Sequence, residues 1–249
     1  MVDAGGLLRF EQEAWKERTN VYEVGRQFIV PYLKGNGIAG IDTLILTHAD
    51  ADHVEGAEEV LREIRINEVH VPPNSLSKAV MDDFLAEAAR KKTVIKEQAA
   101  GIGWESAGVR FDYLWPHETK YEGNNDSLVL LVRQGAFKGL LTGDLEKEGE
   151  AELVAKFDDQ IANLTLLKAG HHGSKTSSTE AFVALTNPRL TIFTAGKDNR
   201  FKHPHAEVVE RFDVLELPHM TTGEVGTVEV TVKRDGLHVI TSNELFTEK

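Results

Sequence analysis

Four strand-like apolar segments of this sequence end in histidine or aspartate, and this repeated ending constrains the fold more than any other feature. The first segment, Thr43–Thr47, runs directly into His48-Ala49-Asp50-Ala51-Asp52-His53. The other three precede Asp144, the pair His171-His172, and a segment that ends in His203-Pro204-His205. Metal-competent side chains at strand ends are typical of α/β enzymes, whose sites lie on loops at the carboxyl edge of a sheet. The sequence therefore predicts a metal site at such an edge.

The order of the predicted elements indicates an α/β fold. Strand and helix alternate from Ile41 to about Lys96, which is the signature of βαβ units. We predict helices over 54–64, 77–90, 146–157 and 180–185, strands over 109–114, 127–132, 137–142, 164–168 and 190–194, and a β-hairpin over 226–240. Two mixed β-sheets packed together and flanked by helices, an αββα sandwich, accommodate these elements. We expect a single domain over residues 1–249, and its abrupt start at Val2-Asp3 suggests that leading strands are absent.

The composition limits the chemistry of the predicted site. The chain has no cysteine, which excludes disulfides and thiolate sites, so nitrogen and oxygen ligands suited to zinc, manganese or iron must hold any metal. The formal charge of -12 argues against a general nucleic-acid coat, which carries excess Lys and Arg, but not against a phosphate substrate. No apolar run approaches the roughly 20 residues of a membrane-spanning helix, so we expect a soluble chain with no transmembrane segment.

Each strand-end motif also has a simpler explanation. Asp144 is compatible with a turn residue or with the N-cap of a helix starting at Glu146. His171-His172 is compatible with a surface pair, and segment 48–53 with a polar loop whose aspartate caps a helix. The last explanation is the weakest, because clustered carboxylates repel one another unless a cation neutralises them. Four isolated histidines are interpreted as ordinary core or surface residues: His70, His117, His219 and His238.

The motifs resemble those of the metallo-β-lactamase fold, whose signature loop is His-x-His-x-Asp-His, and more closely the C-terminal domain of the ComEC family of DNA-uptake channel proteins. The likeness covers nearly the whole chain, and its motifs occur in the same order. They are Val2-Asp3-Ala4-Gly5-Gly6, Leu46–His53, Gly123–Val129, Leu141–Asp144, His171–Lys175 and His203-Pro204-His205.

The resemblance implies a centre of two divalent metal ions, Mn²⁺ or Zn²⁺. His48 and Asp50 would bind one ion, Asp52, His53 and His171 would bind the other, and Asp144 would bridge them. Asp50 stands where the broad superfamily has histidine, although aspartate is usual in ComEC-like domains, and this oxygen-rich site favours manganese. A mid-chain histidine of the superfamily has no counterpart here, and Asn125, Asp126 or water would take its place.

The resemblance further implies phosphodiester hydrolysis of DNA, with degradation of the strand that is not imported during transformation. Two metal ions would activate a water molecule and stabilise the leaving oxygen. Asp52 is the ligand assigned a catalytic role, and His172 or His203 would protonate the leaving group. The candidate substrate-binding residues are Ser174, Lys175, Asn199, Arg200 and Lys202. Lys175, Arg200 and Lys202, together with Lys197, carry positive charges that suit phosphate oxygens. A solvated loop without a binding role would have the same composition.

Two rival functions are compatible with the same residues. One is a metallohydrolase of another bond, such as a thioester or lactone, because a fold supports many reactions. The other is a non-catalytic DNA-guiding module that lacks a competent metal pair. The resemblance places the chain as a soluble domain on the extracytoplasmic face, partnered by DNA and by the membrane-embedded channel segments of its parent protein. A free-standing cytoplasmic hydrolase would carry the same loops.

Overall fold

The computed structural model of the chain describes residues 1–6, 23–233 and 236–243, which form twelve β-strands and seven α-helices. The strands are β1 (Gly40–Ile45), β2 (Arg65–Val71), β3 (Val94–Glu97), β4 (Gly103–Ser106), β5 (Val109–Trp115), β6 (Val129–Gln134), β7 (Phe137–Leu141), β8 (Leu166–Lys168), β9 (Thr191–Phe193), β10 (His219–Thr221), β11 (Val228–Lys233) and β12 (Gly236–Thr241). The helices are α1 (Val30–Gly35), α2 (Ala51–Glu63), α3 (Asp82–Lys91), α4 (Lys147–Ile161), α5 (Glu180–Thr186), α6 (Ala206–Val214) and α7 (Thr222–Val225). By its internal contacts the chain divides into two compact units, residues 1–99 with 118–120, and residues 100–117 with 121–249.

The first unit is built on a parallel sheet with the strand order β1-β2-β3. Helix α2 connects β1 to β2, and α3 connects β2 to β3, because parallel neighbours need a long crossover connection. Leu44, Val60 and Phe84 are fully buried in the core between this sheet and these helices. Val2 forms a parallel bridge with Ile45, which places the N-terminal residues beside the end of β1.

The second unit contains a mixed sheet with the strand order β10-β9-β8-β7-β6-β5-β4. The three strand pairs from β4 to β7 are antiparallel, whereas the three pairs from β7 to β10 are parallel. The carboxyl ends of β7, β8 and β9 therefore lie at one edge, where loops of an open sheet build binding sites. Asp144 and His171 follow β7 and β8 at this edge.

Strands β11 and β12 form a separate antiparallel hairpin in the second unit. Leu237 and Val239 of β12 are buried together with Leu190 in a small cluster of their own. This confirms the hairpin predicted over 226–240, although residues 234 and 235 of its turn lie outside the described residues.

The α/β class, the βαβ units and the β6–β7 hairpin are confirmed. The helix predicted over 77–90 is wrong at its start, because Ser75–Ser77 and Ala79–Met81 are 3-10 turns separated by the extended residue Lys78. The regular helix α3 begins only at Asp82. The single domain over 1–249 stays a prediction. Within the described residues, no helix combines the length and the apolar character needed to cross a bilayer.

Candidate metal centre

The first His/Asp segment divides between a loop and a helix. Residues 47–50 follow β1 as a loop, Asp50 occupies the N-cap position of α2, and Asp52 and His53 lie in its first turn. The side chain of Asp50 makes no capping hydrogen bond. Its Oδ2 atom instead lies 3.8 Å from Nε2 of His48. This geometry counts against the simpler explanation that Asp50 is present to cap the helix.

The two imidazoles of this segment are buried side by side. His48 is 1% exposed and His53 is 3% exposed, and their ring centroids lie 4.1 Å apart at an angle of 56°. A ligand atom of His53 lies within 4.8 Å of one on His48, and likewise of one on Asp52. Two imidazoles and two carboxylates therefore gather in a small volume of the first unit, as a divalent cation site requires.

A network around Asp3 and Thr47 fixes the orientation of both rings. The backbone N–H of Thr47 donates to Asp3 Oδ1 at 2.7 Å, and the Thr47 hydroxyl donates to Asp3 Oδ2 at 2.8 Å. His53 Nδ1 lies 2.8 Å from Asp3 Oδ2, so this nitrogen carries the proton and donates it to the carboxylate. The single hydroxyl proton of Thr47 is already used, so at 3.2 Å the hydroxyl oxygen accepts from Nδ1 of His48.

Both histidines consequently keep an unprotonated Nε2. A histidine that binds a metal commonly donates its other ring N–H to a carboxylate or similar acceptor, which fixes the tautomer and makes the ligand more basic. The donor set thus fits a divalent metal ion through the Nε2 atoms of His48 and His53.

The ionisation of Asp3 supports the same arrangement. Burial alone raises the pKa of this carboxyl. The positive charge that His53 carries when doubly protonated, the hydrogen bond from His53 and the backbone hydrogen bond from Thr47 outweigh burial and leave the pKa below its ordinary value. Asp3 is therefore an anion at neutral pH and can hold the two rings in place. Sequence reasoning quoted Asp3 as part of a motif but gave it no role, since its partner His53 lies 50 residues away.

In the second unit Asp144 is a buried carboxylate with several polar neighbours. It is 3% exposed, and its backbone N–H donates to Ser127 Oγ at 3.1 Å. Its Oδ1 accepts from Lys168 Nζ at 3.2 Å, and its Oδ2 lies 3.3 Å from His172 Nε2. Lys168, the last residue of β8, is a site residue that sequence reasoning missed, because a single strand-ending lysine carries no distinctive signal.

The simpler explanation of Asp144 as a helix cap is wrong. Helix α4 begins after Glu146, and Asn125 Oδ1 accepts the backbone N–H groups of Glu146 and Gly149 at 3.1 and 3.3 Å. Asn125 therefore caps α4 from a distant part of the chain. The amide oxygen of Asn125, one of the candidates to replace the absent mid-chain histidine, is thus already used in capping.

His171 and His172 are held in a strained turn after β8. Their φ angles are 44° and 53°, which is the left-handed region that non-glycine residues rarely adopt. Such strain persists where surrounding contacts determine it, and it concentrates at functional sites. His171 Nδ1 lies 3.2 Å from the Thr176 hydroxyl, and its Nε2 lies 3.9 Å from Asp144 Oδ2. These contacts count against an incidental surface pair.

His203 lies in the same group of histidines. Its ring centroid is 5.6 Å from that of His171 and 6.4 Å from that of His172. Burial, followed by the charges of His171, His205 and His172, lowers the pKa of His203 to about 4. His203 is therefore neutral at neutral pH, a state in which it accepts a proton more readily than it donates one.

The predicted substrate-binding residues fall into two groups. Ser174 and Asn199 hold loops: Ser174 Oγ lies 3.1 Å from the Thr176 hydroxyl, and Asn199 Oδ1 accepts the backbone N–H of His203 at 2.9 Å. Lys175, Arg200 and Lys202 are exposed. The substrate-binding role of all five residues stays a prediction, and Ser174 and Asn199 in addition position their loops.

The sequence and the fold both match known proteins. The sequence model of the Metallo-beta-lactamase superfamily matches residues 1–197. ComE operon protein 3 of Bacillus subtilis (strain 168) is 36% identical over 235 residues, which cover 94% of this chain and 30% of that protein. Competence protein ComA of Neisseria gonorrhoeae is 32% identical over 210 residues, which cover 84% of this chain and 28% of that protein.

The chain thus spans less than a third of the length of these relatives. Among solved structures, a mutant of CmlA beta-hydroxylase superimposes with a TM-score of 0.51 and 13% sequence identity, covering 74% of this chain and 43% of that one. The expected fold, with mixed sheets flanked by helices, and the resemblance drawn from the motifs are confirmed.

Proposed function

Because the chain belongs to the metallo-beta-lactamase superfamily, we propose that it is a metal-dependent hydrolase that cleaves phosphodiester bonds of DNA. The superfamily fold and the His/Asp segment support the metal-dependent hydrolase. The competence proteins at 32 and 36% identity support the choice of DNA and a role in DNA uptake. The observation that carries the proposal is the Asp3–Thr47 network, whose hydrogen bonds place the proton of each buried histidine on Nδ1 and so support a role for the Nε2 atoms as metal ligands.

The metal ligands that we propose are those predicted from the motifs: His48, Asp50, Asp52, His53, Asp144 and His171. They would hold two divalent ions, Mn²⁺ or Zn²⁺, and the carboxylates at positions 50 and 52 favour the harder ion, Mn²⁺. When bound, such ions supply Lewis acidity, which activates water and stabilises negative charge on phosphate oxygens. In the first unit Asp3 and Thr47 orient His48 and His53 for this task.

The leaving oxygen needs a proton, and we assign its donation to His172. Its Nδ1 lies 2.9 Å from the carbonyl oxygen of Thr194, so Nδ1 carries a proton and donates it to that carbonyl. Nε2 is then the atom that holds the mobile proton, and the Asp144 carboxylate 3.3 Å away stabilises the doubly protonated ring. His203, whose pKa is about 4, suits this role less well than His172 does.

We further propose that the chain acts as one part of a larger membrane protein. The relatives are more than three times as long as their matched regions. The domain would lie on the extracytoplasmic face beside the channel segments and degrade the strand that is not imported. Because the chain is acidic overall, it must bind the DNA strand through a local group of cations. Lys175, Arg200 and Lys202 are exposed cations that could contact the phosphates of the strand.

The test combines metal analysis with DNA cleavage. Purified protein is loaded with Mn²⁺ or Zn²⁺, its metal content is measured by mass spectrometry, and it is incubated with labelled single-stranded and duplex DNA. We expect up to two ions per chain and metal-dependent cleavage. Asp52→Asn and Asp144→Asn should lose bound metal and cleavage, whereas Asp42→Asn, at an exposed position on β1, should lose neither.

Two outcomes would contradict the proposal. Hydrolysis of a thioester or lactone without any cleavage of DNA would indicate a hydrolase of another bond. DNA binding that persists in the metal-loaded protein without any change in the DNA would indicate a non-catalytic guiding module.

A further inference from the structure

An exposed aromatic ring lies next to the group of histidines in the second unit. Phe201 is 45% exposed, and its ring lies 5.7 Å from that of His203 at an angle of only 24°. His203 is in turn nearly parallel to His172, at 20° and 6.4 Å. Three rings, Phe201, His203 and His172, therefore form a series of near-parallel planes that extends from solvent to Asp144, which contacts His172.

The turn that carries Phe201 is held firmly. Asn199 Oδ1 accepts the backbone N–H of His203 at 2.9 Å, and Asn199 Nδ2 donates to the carbonyl oxygens of Gly196 and His203 at 2.9 and 2.5 Å. The backbone N–H of Lys202 donates to Asn199 O at 2.9 Å, which closes the turn. An ordered loop thus holds the ring at the surface, so binding costs little additional conformational entropy.

The loop that carries this ring is rich in cations, although the chain as a whole is acidic. The guanidinium carbon of Arg200 lies 5.3 Å from the centroid of the Phe201 ring. Lys197 and Lys202 are exposed on the same loop, and Asp198 is the single acid among them. An exposed aromatic side chain within a basic loop is the combination that single-stranded nucleic acid requires, because bases stack on the ring while cations contact phosphates.

We propose that Phe201 is a stacking platform for a base of single-stranded DNA, adjacent to the bond that is cleaved. This inference rests on the proposed function and adds that the DNA substrate is single-stranded. A base in a duplex is already stacked on both faces and is not available to a side chain, whereas an unpaired base is. A base stacked on Phe201 would continue the series of rings toward His172 and so place its phosphate near that residue.

The experiment measures binding to two oligonucleotides that differ only in their bases. One is a fluorescent single-stranded 12-mer of deoxythymidine, and the other is a 12-mer of abasic sites with the same phosphate backbone. Both carry phosphorothioate linkages to resist cleavage, and binding is followed by fluorescence anisotropy. Removing a stacking ring costs about 1–3 kcal/mol per base, and Arg200 already covers part of the ring, so we expect Phe201→Ala to weaken 12-mer binding by about 5- to 10-fold.

The abasic strand and the variants separate stacking from other effects. Phe201→Ala should leave abasic binding unchanged, and Phe201→Trp should restore binding to the thymidine 12-mer. Phe28→Ala, which removes another exposed phenyl ring, should alter neither. Equal loss on both strands, no loss on either, or no binding of the wild-type protein to the thymidine 12-mer would overturn the inference. Base-dependent binding without cleavage of an ordinary strand in the presence of metal would instead reject the proposed nuclease and leave the stacking platform standing.

Discussion

Asp3 is the residue on which the first group of candidate ligands depends. It accepts hydrogen bonds from the Thr47 backbone, the Thr47 hydroxyl and His53 Nδ1. A carboxylate in this position fixes the Nδ1 proton of His53 directly and that of His48 through the Thr47 hydroxyl, and so sets the tautomer of each ring. Its effect on a metal would be indirect, through the orientation and basicity of the two imidazoles.

We predict that Asp3→Asn weakens metal binding without unfolding the protein. The amide keeps the size of the side chain but removes the negative charge that holds the Nδ1 proton of His53. Loss of such a supporting carboxylate typically costs 10- to 100-fold in metal affinity. Competition for Mn²⁺ or Zn²⁺ against a coloured chelator measures the change, and Asp42→Asn serves as the exposed control. Unchanged affinity in Asp3→Asn would show that the network does not serve the metal.

The candidate ligands were identifiable from the sequence, but the contacts that support them were not. His48, Asp52 and His53 occur within six consecutive positions, so their proximity follows from the sequence itself. Asp3 and Lys168 reach their partners only through strand pairing, and the left-handed backbone of His171 follows from the turn that the fold imposes. The hydrogen bonds that Ser174 and Asn199 make within their own loops were likewise not predictable from the sequence, and their substrate-binding role stays a prediction.

Helix α2 approaches the N-terminal residues 1–6 closely because of a glycine. A Cβ at Gly56 would overlap the carbonyl oxygen of Ala4 and lie 3.2 Å from that of Gly5. The backbone N–H of Gly56 also donates to Gly5 O at 3.0 Å. The close approach keeps residues 4 and 5 against the helix and so holds the adjacent Asp3 beside His53.

We therefore predict that Gly56→Ala both destabilises the protein and weakens metal binding. Overpacking of a buried contact between backbone segments costs about 1–3 kcal/mol, and displacement of residues 4 and 5 would move Asp3 away from His53. Urea unfolding measures the first effect and chelator competition the second. Gly35→Ala is the matched control, because a Cβ there meets no atom within 4 Å. A stable Gly56→Ala variant with normal metal affinity would contradict the role assigned to this contact.

Helices α4 and α5 are joined by a buried carboxylate. Glu150 on α4 is fully buried and accepts the backbone N–H groups of Ser178 and Thr179 at 2.6 and 2.8 Å, just before α5 begins. Burial raises the pKa of Glu150, and the hydrogen bonds from Thr179 and Ser178 and the charge of Arg211 only partly oppose it. The folded protein therefore binds this proton more tightly than the unfolded chain does.

The sign of the resulting pH dependence follows from linkage. A carboxyl group whose pKa is raised on folding stabilises the folded state while it is protonated. This stabilisation is fully present below the pKa of the unfolded chain, 4.5, and is lost as the pH rises through the pKa of the folded state. Glu150→Gln cannot titrate, so the wild type should gain stability relative to this variant as the pH falls toward 4.5. Urea unfolding of both proteins at pH 7 and pH 5 measures the difference. A difference that is constant or shrinks on acidification would contradict the raised pKa.

Elements were predictable where periodicity was strong. The βαβ units, α4, α5 and the C-terminal hairpin show clear apolar patterns, and each is present. Helix α3 starts five residues later than predicted, since extended Lys78 interrupts the pattern. The three-residue strand β10 was not predicted, because such a segment is too short to show a period and is defined by its pairing with β9.

The distribution of charge over the whole chain sets how it can bind a polyanion. A formal charge of -12 repels DNA at a distance, so attraction must come from a local group of cations. Lys175, Lys197, Arg200 and Lys202 are the exposed cations near the histidine group of the second unit. Binding should accordingly involve few phosphates and depend only moderately on salt, in contrast to proteins with an extended basic surface.

This expectation gives a quantitative prediction. For single strands the logarithm of the binding constant falls with the logarithm of salt concentration by about 0.7 per phosphate contacted, so four cations predict a slope of about -3. Replacing Arg200 or Lys202 by Gln should reduce the magnitude of the slope by about 0.7 each. Lys233→Gln, at an exposed position on β11, should leave it unchanged. Anisotropy titrations of the phosphorothioate 12-mer between 25 and 200 mM salt, about an eightfold range, measure the slope. Equal slopes in all variants would place the phosphate contacts elsewhere on the chain.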